Sequence, residues 1–214
     1  MKIPKHIENI LSELEKAGYQ AYLVGGCVLD LVLSDLSRDL SRGVEGLPFK
    51  AKDWDITTNA KPEEIQKIFT DSVYENDFGT VGIKVRHSEE VTEVVEVTPF
   101  RKEESYTDKR HPDKVIFTQK VEDDLARRDF TVNALAMDIK GNIVDPFNGQ
   151  EDIKSKIIKA VGKPEDRFSE DALRLMRAVR FAAQLGFDIE PATKEAIKLL
   201  ANNLKAISHE RIRD

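Results

Sequence analysis

The sequence changes character at Asp145-Pro146, and this change is the strongest constraint on its fold. Before it, short β-branched runs alternate with helical patterns, whereas after it apolar residues recur only at helical spacing. The chain has 214 residues, which is enough for one large domain or two small ones. We therefore predict an α+β fold, with an α+β part over residues 1–148 followed by an all-α part over residues 149–214.

Composition excludes several classes of protein. Hydrophobic residues make up 40% of the chain and charged residues 34%, which fits a globular protein that buries a core. No apolar run approaches the roughly 20 residues that cross a bilayer, and the N-terminus lacks the apolar stretch of a secretory signal. The net charge of −6 argues against a protein that coats nucleic acid by bulk charge. Cys27 is the single cysteine, so we expect no internal disulfide and a cytoplasmic location.

Local patterns predict the elements in chain order. In the first part they are a helix over 4–17, a strand at Ala21–Val24, a helix over Val28–Leu33, a loop over 34–52, a strand at Asp53–Thr57, a helix from Pro62, a hairpin of Thr80–Arg86 with Val91–Val97, a loop over 101–114, and a hairpin of Ala136–Ile139 with Ile143–Val144. In the second part, Ser169 is predicted to cap a helix that Gly186 ends, and Pro191 begins another.

Two glycines and two aspartates form the first group of residues that could carry chemistry. Gly25-Gly26 stand at a strand-to-helix turn, where phosphate oxygens can approach the backbone and the positive end of the helix. On a strand, Asp53 and Asp55 share one face, and two adjacent carboxylates suit a hard divalent cation such as Mg²⁺. A plain glycine turn beside a solvated aspartate pair is the alternative.

Glu96 is an acidic residue inside the apolar run Val94–Val97. Buried carboxylates are rare unless they are paired or bind a metal. A strand beside the one that carries Asp53 and Asp55 would place Glu96 near them, and three carboxylates with two metal ions are what two-metal nucleotidyl transfer requires. A salt bridge, or exposure on one face of the sheet, is the alternative.

The segment 127–134, RRDFTVNA, is the second group. Its paired arginines can bind phosphate, and Asn133 can bond a ribose hydroxyl. The alternative is a basic helix end bonded to Asp123 and Asp124.

Glu170, Asp171 and Arg174 form the third group, because spacings of three and four residues put them on one side of a helix. Asp171 could accept from the amino group of a base while Arg174 donates to a ring acceptor, or Glu170 and Arg174 could form an ordinary salt bridge. Arg177 and Arg180 continue a basic stripe that is either solvated or faces RNA.

Seven motifs in order resemble the class II (bacterial-type) tRNA nucleotidyltransferases, which are the CCA-adding enzymes, and the related poly(A) polymerases. The resemblance runs from Tyr22 to the C-terminus, and neither a P-loop nor a dinucleotide-binding motif competes with it. The motifs are LVGGCVLD, DWDITTNA, EVTPFR, EDDLARRDFTVNALAM, DPFNGQEDI, RFSEDALRLMRAVRFAAQLGF and ISHERI.

The resemblance implies a polymerase-β-like nucleotidyltransferase head, a mixed sheet with flanking helices, over residues 1–148, and a helical, nucleotide-selecting neck over 149–214. It implies that the catalytic and metal-binding residues are Asp53, Asp55 and Glu96. It also implies that nucleotide is bound by Gly25, Gly26, Asp30, Arg128, Asp129, Asn133, Glu170, Asp171, Arg174, Arg177 and Arg180.

The implied activity is Mg²⁺-dependent transfer of CMP and AMP from CTP and ATP to the 3′ end of tRNA, with two metal ions and with neither DNA nor a membrane as partner. The charged segment 101–114 resembles the family's flexible loop, which favours CCA or A addition over CC-only addition. Addition of A alone or poly(A) synthesis on RNA ends is one alternative.

The sequence departs from the family pattern in three places. The glycine turn reads G-G-x-V-R-D in the family, and Leu29 stands at the arginine. The segment 34–52 is longer than usual. Family members continue into helical body and tail domains, so we expect the chain to end within the neck. A weakly catalytic fragment that binds RNA or nucleotide is therefore a second alternative.

Overall fold

The computed structural model describes residues 3–40, 51, 53–74, 78–87, 90–104, 106 and 113–207. The strands are β1 (Ala21–Val24), β2 (Asp55–Thr58), β3 (Ser72–Tyr74), β4 (Val81–His87), β5 (Glu90–Pro99), β6 (Arg101–Glu104), β7 (Lys114–Phe117), β8 (Ala136–Met137), β9 (Ile143–Val144), β10 (Ile157–Ile158) and β11 (Asp188–Ile189). The helices are α1 (Lys5–Lys16), α2 (Gly26–Leu40), α3 (Pro62–Ile68), α4 (Val121–Ala126), α5 (Gly149–Lys154), α6 (Pro164–Glu170), α7 (Leu173–Leu185) and α8 (Pro191–Leu200), with 3₁₀ turns at Thr131–Asn133 and Ala201–Ala206.

The chain forms two compact units, each assembled from separate stretches of sequence. The sheet unit comprises Met1–Lys102, Phe117–Leu125 and Leu135–Val144. The helical unit comprises Glu103–Ile116, Ala126–Ala134 and Asp145–Asp214. The division at residue 148 into head and neck stays a prediction.

A seven-stranded mixed sheet organises the sheet unit. Its strand order is β3-β4-β5-β2-β1-β8-β9. Adjacent strands run antiparallel except β2 and β5, which pair in parallel with Ile56 beside Val97. The α+β fold predicted from the sequence is confirmed.

The periodic segments fold as predicted. Helix α1 buries Ile7, Ile10, Leu11 and Leu14, the apolar stripe that its sequence spacing indicates. The β-branched runs form the β4–β5 hairpin, and Lys140-Gly141-Asn142 lies between β8 and β9. Helix α3 begins at Pro62, where a missing N–H costs nothing.

Two predicted loops are partly regular structure. Helix α2 continues to Leu40, because Val28 and Val32, four residues apart, anchor one face and the helix propagates beyond them through Ser34 and Asp35. The rest of the predicted loop, apart from Ala51, lies outside the described residues. Arg101–Glu104 and Lys114–Phe117 form a two-stranded sheet, so only the middle of segment 101–114 can be the predicted loop, and most of it lies outside the described residues.

The helical unit contains two features that its apolar spacing does not indicate. Strands β10 and β11 form a small parallel sheet, although the sequence after residue 148 predicts helices alone. The helix predicted to start at Ser169 is divided, because Asp171 adopts an extended conformation between α6 and α7. Ser169 therefore lies in the last turn of α6 and caps nothing, whereas Gly186 ends α7 with a positive φ of 66°, as predicted.

A substitution at Gly79 can test the packing of the sheet unit. Its φ is +92°, and a Cβ added there would lie 2.9 Å from the Phe117 ring, whereas Gly141, with φ +88°, has nothing within 4 Å of such an atom. We expect Gly141→Ala to lower the free energy of unfolding by about 1 kcal/mol through backbone strain alone. Gly79→Ala should lose about 1 kcal/mol more, because the ring must move.

Urea titrations of both variants measure this difference. In a Phe117→Ala background, Gly79→Ala should cost about as much as Gly141→Ala, since the clash is then removed. Equal losses in the two single variants would contradict the packing of Phe117 over Gly79.

Candidate active site

The turn between β1 and α2 has the geometry of an anion site. Gly25 has a positive φ of 75°, and α2 starts at Gly26 with no acidic residue in its first turn. The first N–H groups of a helix lack partners within it and carry partial positive charge, so they favour a phosphate. The Cys27 thiol donates to the Val24 carbonyl at 3.1 Å, and burial raises its pKa to about 12, which makes it a packed side chain rather than a nucleophile.

Asp55 and Glu96 lie side by side on the central strands. The parallel register pairs Ile56 with Val97, and one residue back it places Asp55 level with Glu96. Residues in register point to the same face, and neighbouring strands lie about 4.8 Å apart. Ile56 and Val97 are buried on the opposite face, while Glu96 is exposed and Asp55 is half-buried. These two carboxylates therefore share one open face of the sheet.

Asp53 lies outside the strand on which the sequence placed it. Strand β2 begins at Asp55, so Asp53 precedes it by two residues and is exposed, with the buried Trp54 between them. The alternation of burial still separates Trp54 from the two aspartates. Within the described ranges, no three His, Cys, Asp or Glu side chains are grouped closely enough to hold a metal ion.

Asp30 lies one turn along α2 from the glycines. It is half-buried, and burial raises the pKa of its carboxyl. Leu29, which stands where the family pattern has an arginine, is 3% exposed and belongs to the core. Position 29 therefore supplies packing rather than charge beside this turn.

The helical unit gathers arginines around Glu170. Arg174 is 8% exposed, and its Nη1 lies 2.9 Å from Glu170 Oε2. Arg167 pairs with the other oxygen of Glu170 and donates to the Ala126 carbonyl at 3.1 Å. The salt bridge considered for Glu170 and Arg174 thus exists, and a third charge takes part in it.

Asp171 occupies the break between α6 and α7. Its Oδ1 accepts from the Leu173 N–H at 2.9 Å, which satisfies one donor at the start of α7. Its side chain is half-buried, so it is less enclosed than Arg174. The break gives Asp171 an extended backbone and Arg174 a helical one, although both follow Glu170 within four residues.

The segment 127–134 holds its polar side chains inside the helical unit. Asp129 accepts from Arg177 Nε at 2.7 Å and from the Asn133 amide at 3.4 Å. Asn133 is 5% exposed, and its Oδ1 is a buried acceptor for which the described residues provide no hydrogen bond. A buried orphan acceptor is costly, so it suits a donor from a ligand.

Two further arginines of α7 and one of the loop complete the predicted set. The Arg177 and Arg180 guanidiniums lie 5.1 and 6.0 Å from the centre of the Phe181 ring. Arg180 is exposed and Arg128 is half-buried. These contacts leave the basic stripe compatible with either solvent or RNA.

A family model for the poly(A) polymerase head domain matches residues 21–159. The chain belongs to the poly(A) polymerase head-domain family. A second model, described as the probable RNA and SrmB-binding site of polymerase A, matches residues 186–214. The family resemblance inferred from the motifs is thereby confirmed.

Proteins named CCA-adding enzymes are similar to this family member. That of Lactobacillus helveticus (strain DPC 4571) is 49% identical over 209 residues, and that of Leuconostoc citreum (strain KM20) is 47% identical over 207 residues. Each alignment covers 96% of this chain and 47% of the relative, so the chain spans about half the length of the curated relatives it matches.

Two solved structures share the fold. The Bacillus stearothermophilus CCA-adding enzyme in complex with CTP is 41% identical, with a TM-score of 0.81, over 99% of this chain and 47% of that one. A tRNA nucleotidyltransferase complexed with a primer tRNA and an incoming ATP analog is 27% identical, with a TM-score of 0.68, over 95% and 53%. The nucleotidyltransferase fold expected from the motifs is therefore confirmed. No helix in the described part of the chain is long and apolar enough to span a membrane.

Sequence reasoning missed three residues that this family member places around the arginine cluster. One is Glu103, which pairs with Arg127 at 3.0 Å, while Asp123, considered as a partner of the arginines, pairs with Lys102 at 3.1 Å. Tyr106 donates its hydroxyl to Glu103. Arg167 pairs with Glu170, and their spacing of three residues on a helix is a sequence signal for this pair.

Proposed function

We propose that the chain adds CMP and AMP from CTP and ATP to the 3′ end of tRNA, by nucleotidyl transfer at Asp53, Asp55 and Glu96. The observation that carries this proposal is the register that brings Asp55 level with Glu96. The similarity to CCA-adding enzymes over nearly the whole chain supports the choice of substrates. A cytoplasmic location, expected from the single cysteine, stays a prediction.

Asp55 and Glu96 fit a hard divalent cation, because both offer carboxylate oxygens from one face of adjacent strands. We assign them, with Asp53, as the residues that would hold two Mg²⁺ ions. Bound there, the ions would supply positive charge to the attacking 3′-oxygen and to the pyrophosphate that leaves. The protein side chains orient the phosphates, while Gly25, Gly26 and the first turn of α2 receive negative charge.

Nucleotide selection is assigned to the helical unit. Asp171 can accept from the exocyclic amino group of cytosine or adenine, and Arg174 can donate to a ring acceptor. Asn133 Oδ1 can accept from a ribose hydroxyl, with Asp129 holding its amide. We assign Glu170 to hold Arg167 and Arg174, and Arg128, Arg177, Arg180 and Asp30 to the phosphates or the bound nucleotide.

The carboxylates are tested by incorporation of labelled CTP and ATP into a tRNA that lacks its 3′ CCA. Asp55→Asn and Glu96→Gln should each lower the rate at least about a hundredfold, because charge stabilisation at the reacting phosphate is lost. Asp53→Asn should behave alike. Glu90→Gln, an exposed residue at the start of β5, is the matched control and should keep the rate. Full activity in Asp55→Asn would refute the metal assignment.

The ribose contact predicts a specific loss of discrimination. Asn133→Ala should raise the KM for CTP about tenfold and bring the kcat/KM values for CTP and dCTP closer together, since a buried acceptor for a hydroxyl is removed. Asn202→Ala, an exposed residue of the 3₁₀ turn at Ala201–Ala206, should change neither value. An unchanged ratio of CTP to dCTP in folded Asn133→Ala would argue against the ribose role.

Addition of A alone, or poly(A) synthesis, is the alternative that the family description favours. Supplying CTP without ATP separates the two activities, because only an enzyme that adds C extends the acceptor under that condition. Extension with ATP alone to long products would identify a poly(A) polymerase.

Binding without turnover is the second alternative, and buried Leu29 is the observation that favours it. Bound CTP with no product at any Mg²⁺ concentration would support this reading. A Leu29→Arg variant that folds and gains rate would identify Leu29 as the limiting residue, whereas an unchanged rate would exclude it.

A further inference from the structure

Glu103 is a nearly enclosed carboxylate in the helical unit. Its side chain is 6% exposed, at the point where β6 ends. Arg127 Nη1 lies 3.0 Å from its Oε1, and the Tyr106 hydroxyl donates to its Oε2. Two different donors therefore hold the two oxygens of one carboxylate.

Enclosure makes both donors necessary. A buried carboxylate loses its hydration, and the loss is offset only when the group is paired and its remaining lone pairs are bonded. The pKa of Tyr106 is raised by burial, then by its hydrogen bond to Glu103 and by the negative charge of that carboxylate, so the phenol stays protonated and remains a donor. Removing either donor takes away part of the bonding that offsets the burial of this charge.

Arg127 links this carboxylate to Arg174 through its main chain. The Arg127 side chain is held by Glu103, while its carbonyl oxygen accepts from Arg174 Nη2 at 3.1 Å. Arg174 is fixed on its other side by Glu170 Oε2 at 2.9 Å and by the Arg167 carbonyl at 3.4 Å. The orientation of the Arg174 guanidinium therefore depends on where residue 127 lies.

Electrostatics also connects the two carboxylates. Burial raises the pKa of Glu170, the charges of Arg167 and Arg174 oppose that rise, and the negative charge of Glu103 adds to it. Neutralising Glu103 would remove this contribution to the pKa of Glu170, which holds Arg174. Both the main-chain link and the charge lead from Glu103 to the same guanidinium.

We propose that Glu103 and Tyr106 are positioning residues that set the orientation of Arg174 and thereby the choice of nucleobase. The inference rests on the assignment of Arg174 to base selection. It gives Glu103 and Tyr106 a defined chemical task, which is to keep residue 127 in place while a base is bound. Neither side chain touches the nucleotide in this scheme.

Equilibrium binding of CTP and UTP tests the proposal without requiring turnover. Tyr106→Phe and Glu103→Gln should each reduce the ratio of the two dissociation constants about tenfold, because a guanidinium that is free to turn no longer favours cytosine. Glu104→Gln is the matched control, since Glu104 neighbours Glu103 but is exposed and pairs with Lys114 at 3.3 Å. It should leave the ratio unchanged.

A double-mutant cycle separates positioning from a general structural effect. In an Arg174→Ala background, Glu103→Gln should no longer alter the ratio of CTP to UTP binding, because the residue through which it acts is gone. A change of the same size in both backgrounds would overturn the proposal. Thermal unfolding confirms that each variant is folded, and Tyr106→Phe decides the test if Glu103→Gln does not fold.

The outcomes distinguish this inference from the proposed function. If the unaltered chain prefers CTP over UTP in binding but transfers no nucleotide to tRNA, the proposed activity fails while the positioning role is still measured. If the unaltered chain binds the two nucleotides equally, or if both folded variants keep its preference, the positioning role is wrong.

Discussion

The parallel pairing of β2 with β5 is the constraint on which the sheet unit depends. Every other neighbouring pair in the seven-stranded sheet is antiparallel, and this one joint brings Asp55 level with Glu96. A slip of one residue would turn Glu96 toward the core and Val97 toward solvent, which is why burial of Ile56 and Val97 fixes the register. The apolar side of these strands thereby determines where the carboxylates on the other side lie.

In the helical unit, the corresponding constraint is the pairing of carboxylates with guanidinium groups. Glu103 and Glu170 are set among Arg127, Arg167 and Arg174, and each carboxylate meets at least one guanidinium. Such a network is costly to desolvate and becomes favourable only when its members are all bonded. Because these side chains share hydrogen bonds, a displacement of one of them shifts the others. The helical unit can therefore hold the Arg174 guanidinium in a fixed orientation.

Local sequence patterns predicted local secondary structure. The stripe of Ile7 and Leu14 gave α1, and Gly186 marked the end of α7, because both signals lie within a few turns of the residues they govern. Asp53 was placed on a strand that begins two residues later, since strand ends depend on pairing partners distant in sequence. The pairing of Glu103 with Arg127 joins residues 24 apart in sequence, and no periodic pattern predicts it. The motifs indicated the chemistry, whereas the contacts that position these side chains could be read only from the folded structure.

Leu29 shows how the two kinds of information combine. A cation beside the glycine turn would neutralise phosphate, and the sequence has none at that position. The structure places Leu29 in the core, so the positive character of the turn comes from the backbone N–H groups at the start of α2 and from the absence of acidic residues in its first turn. Those groups have fixed geometry and partial charge, whereas an arginine brings a full charge on a long side chain. A phosphate bound at this turn, as proposed, would meet backbone N–H groups whose positions depend on the positive φ of Gly25.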